Sequence, residues 1–292
     1  MYSAIAKNKR NTIFIMAFFI GLIGAIGWLV SVYFGNSSMT YIILGVAATY
    51  ALIQYFAAGK LAVAMTGARE IEKADNPRLY RVVENLAITT GMPTPKMYII
   101  DDPAPNAFAT GRDPKHAIVG VTTGLLQIMD DRELTAVMAH EMGHVQNYDI
   151  RVSTIAFGLV SAIGLLSDIV LRMLFYSGDN RNNNTNPIVL VIGVIVIILA
   201  PIIAAIVQMA VSRQREYLAD ATGALTTRDP EGLASALGKL QQFGQPMRQQ
   251  TSSAANLFMN NPLKPGFFSK LFSTHPPLED RIARLNKTAG TF

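Results

Sequence analysis

The chain contains no cysteine. That removes disulfides, thiolate metal ligands and a cysteine nucleophile from the chemistry open to it. Charge is scarce too: 15% of the residues are Asp, Glu, Lys or Arg, against about 25% in soluble domains. Apolar residues fill the gap, at 50% of the chain, and the mean hydropathy is +0.29. This balance points to a membrane protein. No G-x-x-x-x-G-K-[ST] stretch occurs, so no nucleotide partner and no ATP hydrolysis of its own are expected. The excess of base, +5 in all, does not cluster with aromatics as nucleic-acid binding requires. It flanks apolar runs, the arrangement that orients membrane spans.

Lys7, Lys9 and Arg10 precede an apolar run from Ile13 to Phe34. This run exceeds the apolar region of a signal peptide, and a second, Met39 to Ala58, follows after Gly35-Asn36-Ser37-Ser38. Each has about the length a helix needs to cross a bilayer. Lys60 and Arg69 come next, so positive charge at both outer ends predicts that the N-terminus and the segment after Lys60 are cytoplasmic. A third run, Val152 to Leu171, is interrupted by Asp168, which can pair with Arg172 near the lipid surface or serve a path through the membrane. Residues 177–186 form a polar, Asn-rich external loop. A fourth run, Pro187 to Val211, is kinked at Pro201 and ends at Arg213 and Arg215.

The segments between the runs read as a folded domain. Asn76-Pro77 opens an amphipathic helix with Leu79, Val82, Val83 and Leu86 on one face, broken by the Gly91-to-Pro95 stretch. Residues 97–100, 107–110 and 117–121 are short, apolar and bounded by Pro, Asp or Gly, as strands are. Asp229-Pro230-Glu231 starts a further helix, and Thr274-His275-Pro276-Pro277 opens the last, which carries Arg281 and Arg284. Phe267, Phe268, Leu271 and Phe272, with Lys264 and Lys270 nearby, suit either the membrane surface or packing on the core. His116 precedes a strand and is expected at the surface.

One stretch carries chemistry. His140-Glu141-Met142-Gly143-His144 holds two of the 4 histidines. On a helix they share one face and can reach one metal ion, with Glu141 beside the first. Asp130 and Glu133 form a capping-box signal ahead of Leu134, Val137 and Met138, so the helix has a start. Zinc suits the set: it accepts neutral imidazole and, in catalytic sites, takes three protein ligands and one water, whose pKa it lowers to about 7. Glu141 is then the general base for attack on a peptide carbonyl. The fourth run returns the chain to the same membrane face at Glu216-Tyr217-Leu218-Ala219-Asp220. There Glu216 is the candidate third ligand, and Asp220 the candidate partner for the second nitrogen of a ligand histidine. The predicted architecture is an α-helical integral membrane protein with about four transmembrane helices and a cytoplasmic zincin-like α+β catalytic domain containing a small sheet. Its parts are a hairpin at 1–60, catalytic segments at 61–151 and 212–292, and a second hairpin at 152–211.

These residues, together with Asn106-Ala107-Phe108-Ala109-Thr110-Gly111 and His275-Pro276-Pro277 with Arg281, resemble the HtpX family of bacterial membrane metalloproteases over nearly the whole chain. The family is related to the CaaX-processing zinc proteases. The resemblance implies one Zn2+ bound by His140, His144 and Glu216, with Glu141 catalytic. It implies cleavage of misfolded or damaged membrane proteins at the cytoplasmic side of the inner membrane. It makes residues 106–111 a candidate substrate strand, since an edge strand pairs with an extended peptide, and makes His275 and Arg281 candidate donors to the carbonyl oxygen. Four predicted spans are fewer than the CaaX proteases have, which disfavours lipidated C-termini as substrates. A silent scaffold with structural zinc is the non-enzymatic alternative; it calls for four protein ligands, whereas three are found.

Overall fold

The computed structural model describes residues 2–161, 213–249, 255, 257–263 and 276–289. The second half of the third run and all of the fourth, with Asp168, Arg172 and Pro201, lie outside the described residues, as do the aromatic stretch at 267–272 and His275.

The first two apolar runs form long helices, α1 (Tyr2–Phe34) and α2 (Ser38–Thr66). Gly24 and Gly27 let the pair close up: a Cβ there would stand 2.6 Å from Leu44 and 2.9 Å from Ile43. Residues 40–66 of α2 are long and apolar enough to cross a bilayer. The helix runs on past the apolar run that ends at Ala58. Nothing in Leu61-Ala62-Val63-Ala64 breaks it, and it ends only at Gly67, which takes the left-handed conformation with φ 67°. Its last turns bury Ala62 and Val63 against Phe108, Ile118 and Phe258. The hairpin and the domain are thus joined by a continuous rod.

The domain contains β1 (Arg69–Glu70), α3 (Pro77–Thr90), β2 (Lys96–Ile100), β3 (Ala107–Thr110), β4 (Ile118–Thr122), α4 (Thr123–Ile128) and α5 (Asp131–Gln146). A further helix, α6, covers 149–161 of the described residues. Beyond it come α7 (Arg213–Thr227), α8 (Pro230–Phe243) and α9 (Leu278–Thr288). The sheet order is β1-β2-β4-β3, with β2 and β4 parallel and the two outer pairings antiparallel. The three expected strands are present. Neither β1 nor α4 was anticipated; elements of two and six residues are too short for a periodic pattern to show.

Helix starts follow the local chemistry. The Asn76 side chain accepts from the Leu79 N–H at 2.9 Å, Asp229 accepts from Gly232 at 2.9 Å, and Asp130 with Glu133 completes the capping box of α5. One apolar core joins α3, α5, α8 and the sheet through Leu79, Val83, Met97, Val121, Leu134 and Leu237. A second packs α1 and α2 on α6, with Ile15, Phe19, Ala51, Ile155 and Leu159 buried.

Candidate metal centre

The register of α5 sets His140 and His144 on one face, and two glycines bring the next helix to them. A Cβ on Gly143 would stand 3.3 Å from the Ala219 carbonyl, and one on Gly223 would stand 3.0 Å from the His140 amide. Small residues at this crossing let α7 lie close enough for Glu216 to reach the histidines. The two Nε2 atoms are 3.2 Å apart. Glu216 oxygens lie 3.8 Å from Nε2 of His140 and 3.5 Å from Nε2 of His144. A tetrahedral ion with ligands at about 2.0–2.1 Å separates those ligands by about 3.3–3.4 Å. Two imidazole nitrogens and a carboxylate oxygen within 4.8 Å of one another, with no thiol, fit zinc.

Each histidine turns its other nitrogen to a carboxylate. Nδ1 of His140 is 2.9 Å from Asp220, and Nδ1 of His144 is 3.1 Å from Asp149. The carboxylates fix the tautomer that leaves both Nε2 atoms facing the centre. Asp220 is gripped in turn by Arg281, whose Nε and Nη2 donate at 2.9 and 2.6 Å. Asp149 accepts from the Asn8 amide at 2.6 Å. Asp149 was not singled out in the sequence, and its position explains why. It lies five residues past His144, beyond the end of α5, where Tyr148 takes a left-handed φ of 60° and turns the chain back. Helical spacing carries no signal for such a contact.

The charges of the site act on one another. Burial, aided by Arg281, pushes His140 down to about 4 against the pull of Asp220. Burial opposes the charged form of His144 as well, but Asp149, Glu216 and Glu141 outweigh it and raise that imidazole to about 9. Burial also raises Glu141 to about 7, with Glu216 adding to it, while His144, Arg281 and the Ala109 N–H oppose. Asp220 goes the other way: Arg281 and His140 overcome burial and hold it below the usual carboxylate range.

The remaining candidates fall in different places. Arg281 is fully buried behind the ligands; besides Asp220, it places Nη1 3.4 Å from Glu216. Its Nε and Nη2 are taken up by Asp220, and it does not line the pocket beside the histidines that a substrate would enter. That pocket is lined by Ala109, Glu141, Ile150, Ser153, Arg215 and the 257–259 segment around the two histidines and Glu216. Of residues 106–111, only Ala109 lines it. Asn106 clips the strand to Asn260, donating at 2.8 Å and accepting at 3.0 Å. Met259 N–H bonds the Ala107 carbonyl at 2.9 Å and Phe258 bridges Phe108, so the start of β3 already has a neighbour on its outer edge. Thr110 and Gly111 bond Thr154 at 2.8 and 3.1 Å. Arg215 is a second residue that sequence reading missed: its Nη1 and Nη2 are buried without a hydrogen-bond partner among the described residues. His116 is half exposed and held by Asp113, as expected of a surface residue.

The profile of peptidase family M48 matches residues 73–289. The chain belongs to peptidase family M48. Membership makes it a zinc metalloprotease, a hydrolase of peptide bonds in protein substrates. The M48 relatives include the "Protease HtpX homolog" of Tropheryma whipplei (strain Twist), 60% identical over 292 residues and covering 100% of both chains. The "Protease HtpX homolog" of Lactobacillus acidophilus is 45% identical, covering 98% of this chain and 99% of that one. The expected kinship with HtpX therefore holds. Among solved structures, the M48 chain resembles Ste24p of S. mikatae with a TM-score of 0.52 and 20% identity. That likeness covers 98% of this chain and 67% of the other, and concerns the fold.

Proposed function

We propose that this membrane metalloprotease is an endopeptidase that cleaves misfolded or damaged membrane proteins at the cytoplasmic face of the bacterial inner membrane. The observation that carries the reading is the meeting of His140, His144 and Glu216, with ligand atoms within 4.8 Å of one another, beside the buried Glu141. These three residues would hold zinc, which supplies Lewis acidity toward the peptide carbonyl and lowers the pKa of attacking water. Glu141, raised to about 7 by burial, is poised to accept a proton at its carboxylate and return one to the leaving amine. Asp220 and Asp149 keep the imidazoles oriented. Arg281 acts by holding Asp220 and Glu216, and His275 is the proposed donor to the carbonyl oxygen. An extended peptide is proposed to pair with β3 at Ala109, where the strand meets the pocket.

A cytoplasmic, multi-pass placement is supported by the charges around the centre. Arg112 lies over the Phe56 ring at 5.1 Å, and Lys9 and Arg151 lie over Tyr148 at 4.7 and 5.0 Å. Aromatic and basic residues together mark the cytoplasmic interface of a membrane protein. The test uses casein, which does not cross membranes, added to intact spheroplasts and to inverted inner-membrane vesicles. Cleavage in the inverted vesicles alone, stopped by a chelator and restored by zinc, is the expected result. Cleavage by spheroplasts would reverse the orientation. Hydrolysis of a prenylated peptide without hydrolysis of casein would move the substrate to lipidated C-termini.

A further inference from the structure

We propose that a basic pocket at the cytoplasmic end of α2, separate from the metal pocket, binds the headgroup phosphate of an acidic phospholipid. The pocket lies between α2, the start of α6 and the turn after β3. It draws cations from three segments: Lys60 on α2, Lys96 on β2, and Arg112 and Lys115 in the turn. None of its lining residues is acidic. Carboxylates outside it partly offset two of the four, Glu70 at 2.7 Å from Lys96 and Asp113 at 3.5 Å from Arg112. Lys60 and Lys115 make no ion pair among the described residues. The pocket therefore keeps a positive surplus that a phosphodiester would neutralise.

Its position selects the source of that phosphate. Lys60 is the first charge after the apolar run that ends at Ala58, so it stands at headgroup level if α2 crosses the bilayer. This step rests on the membrane placement proposed above. Tyr55 and Phe56 line the α2 side, and Phe56 holds the Arg112 guanidinium over its ring. Ala117, Ile118 and Ile155 add an apolar floor. Cations with aromatic and aliphatic walls suit a phosphate attached to a glycerol ester; a free phosphate gains nothing from the apolar part. The pocket also reaches toward the catalytic strand. Thr154 lines it and bonds Thr110 and the Gly111 N–H, while Ala109, just before them on β3, lines the metal pocket. A bound headgroup thus rests on the strand end that presents Ala109 to Glu141.

The test is a calorimetric titration of the full chain, in neutral detergent, with short-chain phosphatidylglycerol. Saturable binding is expected, with none for short-chain phosphatidylcholine. Lys60→Gln with Lys115→Gln should weaken it by about tenfold or more, since each cation near a headgroup contributes on the order of 1 kcal/mol. Both lysines are exposed, so the fold and casein cleavage in neutral detergent should be unchanged. Binding is read without turnover, so an inactive protein would count against the proposed protease reading and not against the lipid site. Unchanged affinity in the double variant would overturn the proposal. So would an equal loss from Lys73→Gln with Lys287→Gln, neither of which lines the pocket. Competition by inorganic phosphate at the lipid's own concentration would make it a small-anion site, and displacement by an acidic peptide would assign it to substrate; either result also overturns it.

Discussion

His140 and His144 each turn Nδ1 to a carboxylate, yet the two carboxylates are anchored by opposite ends of the chain. Asp220 is held by Arg281 of α9 through two charge-assisted hydrogen bonds at 2.9 and 2.6 Å. Asp149 is held by the neutral amide of Asn8, at the start of α1. Burial and the charge of Arg281 drive His140 to about 4, whereas His144, facing Asp149, which no cation hydrogen-bonds among the described residues, rises to about 9. One histidine is held by a buried ion pair with α9, the other by the α1–α2 hairpin. The comparison implies that the domain carries the strength of the centre and that the hairpin trims it.

The largest effect should come from Arg281→Leu. Breaking a buried charge pair by removing one partner destabilises by about 3–5 kcal/mol, because the other charge is left unpaired. Asp220 would be that charge. Zinc content per chain and thermal stability should both fall sharply; a variant with normal zinc and stability would end the ion-pair half of the comparison. Next come the carboxylates themselves. Asp220→Asn and Asp149→Asn should each weaken zinc by about 10–100-fold, read by competition with a chromogenic chelator. Asp220→Asn should be the worse of the two, since it also strands the buried Arg281; equal losses would show that the two anchors are equivalent. The smallest effect is expected for Asn8→Ala, which removes one neutral donor and leaves Asp149 in place. A loss of about 1–3 kcal/mol in stability, with zinc affinity reduced severalfold, is predicted. Unaltered behaviour would detach the hairpin from the centre.

The same contrast explains what could be read from the amino-acid sequence. His140, His144, Glu216 and Asp220 sit at helical spacings on helices with start signals or apolar faces, and spacing of that kind is visible without a structure. Arg281 was visible as a candidate, but its surroundings were not: it is fully buried and donates to Asp220, a contact between helices that local spacing does not encode. Asp149 and Asn8 were invisible because they meet across 141 residues through a turn with a left-handed tyrosine. The capping signals placed α3, α5 and α8, while α2 runs on past Lys60, because a lone lysine does not stop a helix whose next residues are Leu61, Ala62 and Val63. The candidate substrate strand was found as a strand. Its pairing with 258–259 depends on a segment far along the chain, as in Phe108 with Phe258, which no local pattern encodes.

The most direct test of the central account is Glu141→Gln, measured for zinc and for turnover on the same preparation. Glutamine keeps the size and polarity of the side chain but cannot take a proton, so the ligand set of His140, His144 and Glu216 is left intact. The account predicts wild-type zinc stoichiometry, with casein hydrolysis lower by about 10²-fold or more. Hydrolysis near the wild-type rate with zinc bound would contradict it.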